Sequence, residues 1–263
     1  MEFVKLVQSF SSPLLDVFFS IITYLGDENL FILIFCLVYW CINKKFAYIM
    51  GFAFLSNGIL NTALKGIFKV PRLSPKQGIR TIKINMEGNS FPSGHAQSAA
   101  SYWTSLMLKI RGNWFYITGI LVILLVGLSR IYLGLHTLKD VIVGIAIGVF
   151  WVFIANWFFK KVEVNKNYML FLWIIIPAVI GFFIFTASNY FKGGGAFLGL
   201  VLGYIIETEY IQYQIKNNLK KQILKYILGI IGLLMVKEGV KYILPPSLIS
   251  DLFRYFLIVI WVI

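Results

Sequence analysis

The chain has 263 residues, 59% of them hydrophobic and only 13% charged, with a mean hydropathy of +0.81; a globular protein carries about 45–50% apolar residues even with glycine counted, so a soluble enzyme is excluded. The 24 Lys and Arg against 11 Asp and Glu give a net charge of +13; in a membrane chain this excess marks cytoplasmic loops and anionic headgroups, and no nucleic-acid motif accompanies it. At roughly 20 apolar residues per crossing, the length accommodates about eight to ten helices and no soluble domain, so function must reside in the helices or their connections.

The residues before the first apolar run, Met1-Glu2-Phe3-Val4-Lys5, lack the basic region and cleavage site of a secretory signal. The first apolar segment is therefore expected to remain in the protein. Apolar runs then fall near 12–25, 29–42, 46–68, 94–110, 114–133, 138–159, 168–187, 193–211, 223–244 and 251–263, which predicts an all-α, polytopic transmembrane bundle of eight to ten helices. The first run is interrupted by Ser11, Ser12, Pro13 and Asp16, and the last is too short for an untilted span, so either could lie in the interface. Cys36 and Cys41 occupy one apolar run on different helix faces and are expected to be packing residues.

Alternate connections hold Lys44 and Lys45, then Lys109 and Arg111, then Lys160, Lys161 and Lys166, then Lys216, Lys220, Lys221 and Lys225. The positive-inside rule makes that side cytoplasmic, and Trp40, Trp114 and Trp157 beside these breaks suit an interfacial aromatic belt. The connection from Lys65 to Ser93 falls on the other side yet carries Lys65, Lys69, Arg72, Lys76, Arg80 and Lys83 against the single acid Glu87. An outward basic loop needs a reason other than topology, and an anionic ligand is the simplest. The polar stretch Lys160 to Asn167 divides the chain into a core, 1–162, that contains every motif, and an extension, 163–263, that contains none and is expected to modulate access or assembly.

The chain has two histidines, His95 and His136. At about 1.5 Å per residue their separation is roughly 61 Å of helix, two bilayer crossings of about 30 Å, so both return to the same outer face. Lys65 and Arg72 lie at the outer end of the preceding helix and Arg130 at the outer end of the helix before His136. Pro92-Ser93-Gly94-His95 opens a helix, where glycine lets backbone N–H groups approach a phosphate. His136 and Asp140 are spaced i, i+4, so a carboxylate can accept the Nδ1 proton and leave Nε2 as a lone-pair nucleophile.

Phosphoryl transfer needs an in-line nucleophile, cations for the equatorial oxygens and an acid for the leaving oxygen. The expected roles are His136 as nucleophile forming a phosphohistidine, His95 as acid and then base for water, and Asp140 as orienter. Lys65, Arg72 and Arg130 are expected to clamp the phosphate, with Ser93 and Gly94 also binding it. The chemistry calls for no metal and no cofactor.

Lys65-x6-Arg72, Pro92-Ser93-Gly94-His95 and Ser129-Arg130-x5-His136-x3-Asp140 resemble the three signature motifs of the type 2 phosphatidic acid phosphatase (PAP2) superfamily, over about Phe46 to Phe159. The second and third motifs match in full; in the first, Pro71 precedes Arg72 where the family usually has proline after its arginine. The resemblance implies a six-helix core, metal-independent hydrolysis of a lipid phosphate or diphosphate, and the residue roles given above. The substrate expected is a phospholipid or isoprenoid-lipid phosphate of the undecaprenyl diphosphate, phosphatidic acid or phosphatidylglycerophosphate type. The expected place is multi-pass in the cell membrane, a bacterial cytoplasmic membrane with the site facing outward.

The alternatives are a phosphoryl or phosphoalcohol transferase, a phosphatase of a soluble sugar phosphate, and a lipid transporter or flippase without hydrolysis, for which Glu207, Lys237 and Glu238 would be intramembrane charges. Lys69, Lys76, Arg80, Lys83 and Lys139 are read as snorkelling anchors. Gly195, Gly199 and Gly203 form a small-xxx-small ladder suited to intrachain packing, with a homodimer seam as the alternative. Lys237, Glu238 and Lys241 are read as a self-neutralising cluster.

Overall fold

A computed structural model describes residues 1–74, 78–82, 88–216 and 218–263. Lys76, Lys83 and Glu87, counted above in the basic connection, lie outside the described residues. Among those residues the chain is all-helical: α1 (Glu2–Ser9), α2 (Pro13–Ile22), α3 (Glu28–Leu37), α4 (Lys44–Phe68), α5 (Gly94–Ile110), α6 (Asn113–Tyr132), α7 (Leu138–Asn165), α8 (Leu172–Ile184), α9 (Ser188–Ile206), α10 (Leu219–Ile243) and α11 (Leu248–Val262). Each of the ten apolar runs is a helix, and α1 is an eleventh that precedes them. It escaped the hydropathy reading because it is short and half polar, and it buries Val4 against Ile79, Ala96, Ile131 and Val141.

Four described helices are long and apolar enough to cross a membrane: α4, α6, α7 and the span Ser188–Ile211; Pro13–Gly26 and Glu28–Ile42, bent by 49° at Asp27, pass the same test only as a pair, as a broken span or a re-entrant loop. The protein is a multi-pass membrane protein. The polar residues that seemed to spoil the first run in fact start its helix: Ser12 is the N-cap, its side chain accepting the Leu15 N–H, and Pro13 occupies the first helical turn. Asp16 is neutralised by Arg80 in a two-point pair at 2.8 and 2.6 Å and accepts the Tyr132 hydroxyl at 2.6 Å. Arg80 is thus a clasp between its connection and α2.

The chain forms two compact units, each discontinuous in sequence: Met1–Phe31 with Leu60–Phe153, and Ile32–Ile59 with Ile154–Ile263. The first unit contains α1, α2, the C-terminal part of α4 from Leu60, α5, α6 and most of α7. In it α7 runs against the start of α5 with backbone nearly touching backbone. A Cβ built at Gly144 would lie 2.7 Å from the Ser93 carbonyl oxygen, and one at Gly148 would lie 2.4 Å from that of Gln97. Glycine at both positions is what lets the two helices approach, and it fixes the height of α5 on α7.

In the second unit α9 packs on α11 through the glycine ladder: a Cβ at Gly195 would lie 2.1 Å from the Leu252 carbonyl oxygen, at Gly199 2.8 Å from that of Phe256, and at Gly203 2.7 Å from Ile263. The ladder is used within the chain. Glu207, 1% exposed, accepts from Lys44 Nζ at 2.6 Å and from the Tyr213 N–H at 2.9 Å. Trp114 and Trp157 are exposed, but Trp40 is buried and donates its indole N–H to the Val262 carbonyl at 2.7 Å. Trp40 therefore does not belong to an interfacial belt; its neighbours along the chain could not reveal a partner more than 200 residues away. Cys36 and Cys41 are both free thiols. Glu238 and Lys241, one turn apart, pair at 3.9 Å.

Candidate active site

Every residue expected in the site belongs to the first compact unit. Lys65 is in the last turn of α4, and its carbonyl accepts the Asn89 side-chain amide at 2.9 Å. A Cβ built at Gly94 would lie 3.6 Å from Lys65 Nζ and 3.3 Å from Asn61 Oδ1, so the ammonium group stands over the first turn of α5 at a point that a side chain would narrow. Asn61 is held there by donating to Gln97 Oε1 at 2.7 Å. Arg72 donates Nε–H to the Gly88 carbonyl at 3.1 Å. Its Nη1, and the hydroxyl of the fully buried Ser93, have no hydrogen-bond partner among the described residues. Unsatisfied buried donors cost about 1–3 kcal/mol each, so each of these two groups has a donor left to give to an incoming acceptor.

Arg130, in the last turn of α6, is 1% exposed and donates Nη1–H to the Thr23 hydroxyl at 2.8 Å. The chain then turns through 133–137, with the N–H groups of Leu135 and His136 both donating to the Arg130 carbonyl, at 3.1 and 3.2 Å. His136 precedes α7 rather than lying on it. The helix instead begins with a reciprocal cap in which the Asp140 carboxylate accepts the Thr137 N–H at 2.9 Å and the Thr137 hydroxyl accepts the Asp140 N–H at 3.3 Å. Asp140 thus faces back toward His136, with Oδ2 3.5 Å from Nδ1. Between them stands Ser90, whose hydroxyl donates to Asp140 Oδ2 at 2.6 Å and lies 3.2 Å from His136 Nδ1.

Burial pushes the His136 imidazole down to about 4; the Asp140 carboxylate opposes this, while the charges of Arg130, Lys65 and Arg72 reinforce it. The ring is therefore neutral at physiological pH, as a nitrogen nucleophile must be. His95 opens α5 and sits with Nε2 3.8 Å from Asp27 Oδ2. The other Asp27 oxygen is committed to the start of α3, accepting from the Asn29 backbone and side-chain amides at 2.9 and 2.6 Å.

The structure gathers Lys65, Arg72 and Arg130 near enough to His136 for their charges to act on it, and adds residues that the motifs did not announce. Ser90 was passed over because it lies outside the Pro92–His95 tetrad. Asp27 was passed over because it lies in a different apolar run from either histidine; its only local signal was a break, Gly26-Asp27, between two runs. Thr137 carried a readable one, the Thr-x-x-Asp capping pattern. Among the described residues no group of three His, Cys, Asp or Glu gathers to hold a metal ion.

Residues 46–163 match the PAP2 superfamily and residues 191–263 match the PAP2 superfamily phosphatase, transmembrane extension. The chain belongs to the PAP2 superfamily. It is similar to mouse (Mus musculus) sphingosine-1-phosphate phosphatase 1, 29% identical over 73% of this chain and 46% of that one. It is also similar to the dolichyldiphosphatase of Saccharomyces cerevisiae, 29% identical over 63% of this chain and 72% of that one. Among solved structures, LpxE of Aquifex aeolicus matches 59% of this PAP2 chain and 92% of its own, with 26% identity and a TM-score of 0.53. The chain spans less than half the length of the sphingosine-1-phosphate phosphatases that it matches.

Proposed function

We propose that this PAP2 protein hydrolyses a phosphate or diphosphate carried by a membrane lipid, of the undecaprenyl diphosphate, phosphatidic acid or phosphatidylglycerophosphate type, through a phosphohistidine on His136. The observation that carries the reading is a neutral, buried imidazole among three cations, Lys65, Arg72 and Arg130, beside two buried polar atoms, Arg72 Nη1 and Ser93 Oγ, that lack acceptors. Relatives named for sphingosine-1-phosphate, phosphatidylglycerophosphate and a dolichyl diphosphate support the lipid-phosphate class.

His136 Nε2 attacks phosphorus while the bond to the leaving oxygen breaks, and His95 gives that oxygen its proton. Water then attacks the phosphoimidazole, His95 takes the water's proton, the P–N bond breaks, and inorganic phosphate leaves with His136 neutral again. Asp140 offsets the positive charge that the ring carries while phosphorylated. The three cations hold the equatorial oxygens, whose charge they meet without rearrangement. The excess of basic residues in the alternate connections supports a site on the outer face, opposite the Lys109–Asn113 connection.

Purified protein in detergent should release inorganic phosphate from such lipids and accumulate an acid-labile phosphoenzyme on brief exposure to substrate. Transfer of the phosphoryl group to a second lipid headgroup, or lipid movement without phosphate release, would replace this reading. A cysteine at Asn113 should react with an impermeant reagent only after permeabilisation; reaction in sealed cells would put the site on the cytoplasmic side.

A further inference from the structure

Ser90 makes contacts that only one arrangement of protons satisfies. A serine hydroxyl has one hydrogen to donate and lone pairs to accept with. At 2.6 Å from Asp140 Oδ2, an acceptor at neutral pH, the Ser90 hydrogen is spent on the carboxylate. At 3.2 Å from His136 Nδ1, the same oxygen can then only accept, so Nδ1 carries the proton and Nε2 the lone pair. The direct distance from Nδ1 to Asp140 Oδ2 is 3.5 Å, beyond the usual range of an N–H···O bond, and the Oδ2 lone pairs already receive Ser90 and the Thr137 N–H. We infer that Ser90 is a positioning residue that carries the influence of Asp140 to His136 through its hydroxyl, fixing the imidazole as the Nδ1–H tautomer with Nε2 free.

The hydroxyl is itself held on both sides. The Ser90 N–H donates to the Val70 carbonyl at 2.8 Å, and Asn89 beside it donates to the Lys65 carbonyl. All three members of the relay, Ser90, His136 and Asp140, are buried, at 1%, 1% and 3% exposure, so water does not compete for the hydroxyl. When Nε2 is phosphorylated and the ring becomes cationic, the Nδ1–H···Oγ–H···Oδ2 chain strengthens without any proton changing atoms. Ser90 therefore acts on the first half of the reaction, where Nε2 must present its lone pair, and has no contact with the leaving oxygen.

The inference deepens the proposed reaction, and its test separates the two. The chain has only two histidines, so ¹⁵N-histidine spectra of the full protein in detergent report the His136 tautomer directly, whether or not the protein turns over. Wild-type protein should show one tautomer, protonated at Nδ1; Ser90→Ala should show a mixture, and Ser90→Thr, which keeps the hydroxyl, should restore the wild-type spectrum. In turnover, Ser90→Ala should lower kcat roughly 10- to 100-fold, the loss typical of an orienting partner, with KM little changed and with equal losses for good and poor leaving groups. Ser90→Thr should recover most of it. A single Nδ1–H tautomer in Ser90→Ala would overturn the role of Ser90 even if hydrolysis proceeds through His136. A tautomer shift in a protein that forms no phosphohistidine would uphold it and overturn the reaction instead.

Discussion

The His136 backbone N–H donates to the Arg130 carbonyl at 3.2 Å, so the expected nucleophile is tied by main chain to the residue whose guanidinium is expected to grip the phosphate. Five residues separate them in the motif, and that spacing now has a physical meaning. It is the length that ends α6, turns the chain through Gly134 at φ +70° and brings the histidine back under the arginine before Thr137 starts α7. Two residues held by one hydrogen-bonded turn cannot drift apart, which is what the near-attack geometry of the proposed reaction requires.

Replacing His136 with alanine should abolish turnover and the acid-labile phosphoenzyme while the protein remains monodisperse in detergent. A buried imidazole surrounded by three cations has no substitute nearby, since His95 is engaged with Asp27. Substantial residual hydrolysis by the His136→Ala protein, measured as phosphate release, would sink the mechanism.

The pH dependence follows from burial. His136 is held down to about 4 where an exposed histidine titrates near 6.5, so the nucleophile stays neutral from alkaline pH down to about pH 5, and its own acid limb in kcat/KM should lie near pH 4. The same depression sets the sign for stability: the unfolded chain takes up a proton at about 6.5 and the folded chain does not, so the contribution is present above that pH and is lost as pH falls toward 4. Melting profiles in detergent and kcat/KM profiles should be recorded together. An acid limb near 6.5 that persists in a His95 variant would contradict the assignment.

His95→Ala should slow departure of the leaving group by roughly 10²- to 10⁴-fold, the range for general acid catalysis. An aryl phosphate, whose leaving group needs little protonation, should lose far less than an alkyl phosphate. Equal losses on the two substrates would argue that His95 is not the acid.

Fold class was legible because hydropathy runs are the one signal a bilayer imposes on every span; all ten runs are helices. The candidate site was legible for a different reason: Lys65, Arg72, His95, Arg130, His136 and Asp140 fall in spaced motifs at helix ends and connections, and the first compact unit holds all six. What stayed hidden are contacts whose partners are remote in sequence. Ser90 reads as an ordinary loop serine until α7 brings Asp140 to it, and Trp40 reads as interfacial until α11 covers it. Asp16, which seemed to weaken its run, does the opposite once Arg80 arrives.

The clamp should show itself in anion affinity. Arg72→Ala removes a buried Nη1 donor that has no acceptor among the described residues, and should cost roughly 10²- to 10³-fold in kcat/KM, as loss of a transition-state donor does. Vanadate, which mimics five-coordinate phosphorus, should inhibit the wild type and inhibit Arg72→Ala far less. Since the positive charge comes from Lys65, Arg72 and Arg130, activity should survive excess chelator. Loss of activity with chelator and its return with Mg²⁺ would mean that the side-chain cations do not suffice.

The extension beyond Asn165 contains no motif residue, and as a division of chemistry the boundary near residue 162 remains our proposal. As a division of packing it has a consequence for any truncation. The second compact unit includes Ile32–Ile59 as well as Ile154–Ile263, and its internal bonds join the two stretches: Lys44 Nζ to Glu207 Oε1 at 2.6 Å, the Trp40 indole N–H to the Val262 carbonyl at 2.7 Å, and the Tyr39 hydroxyl to the Ile263 carbonyl at 3.1 Å. Ending the chain after Asn165 would strip all three partners at once and leave the buried Trp40 indole N–H without an acceptor, at about 1–3 kcal/mol, while the Tyr39 hydroxyl would keep only the Tyr48 hydroxyl at 3.0 Å. The truncated chain should therefore aggregate in detergent, as size-exclusion chromatography would show. The milder full-length variant Gly199→Leu, which forces a side chain against the Phe256 carbonyl, should lower the melting temperature while sparing hydrolysis of a short-chain soluble phosphate. A monodisperse truncated protein with wild-type turnover on that substrate would show that the first unit stands alone and that α8 to α11 serve only access or assembly.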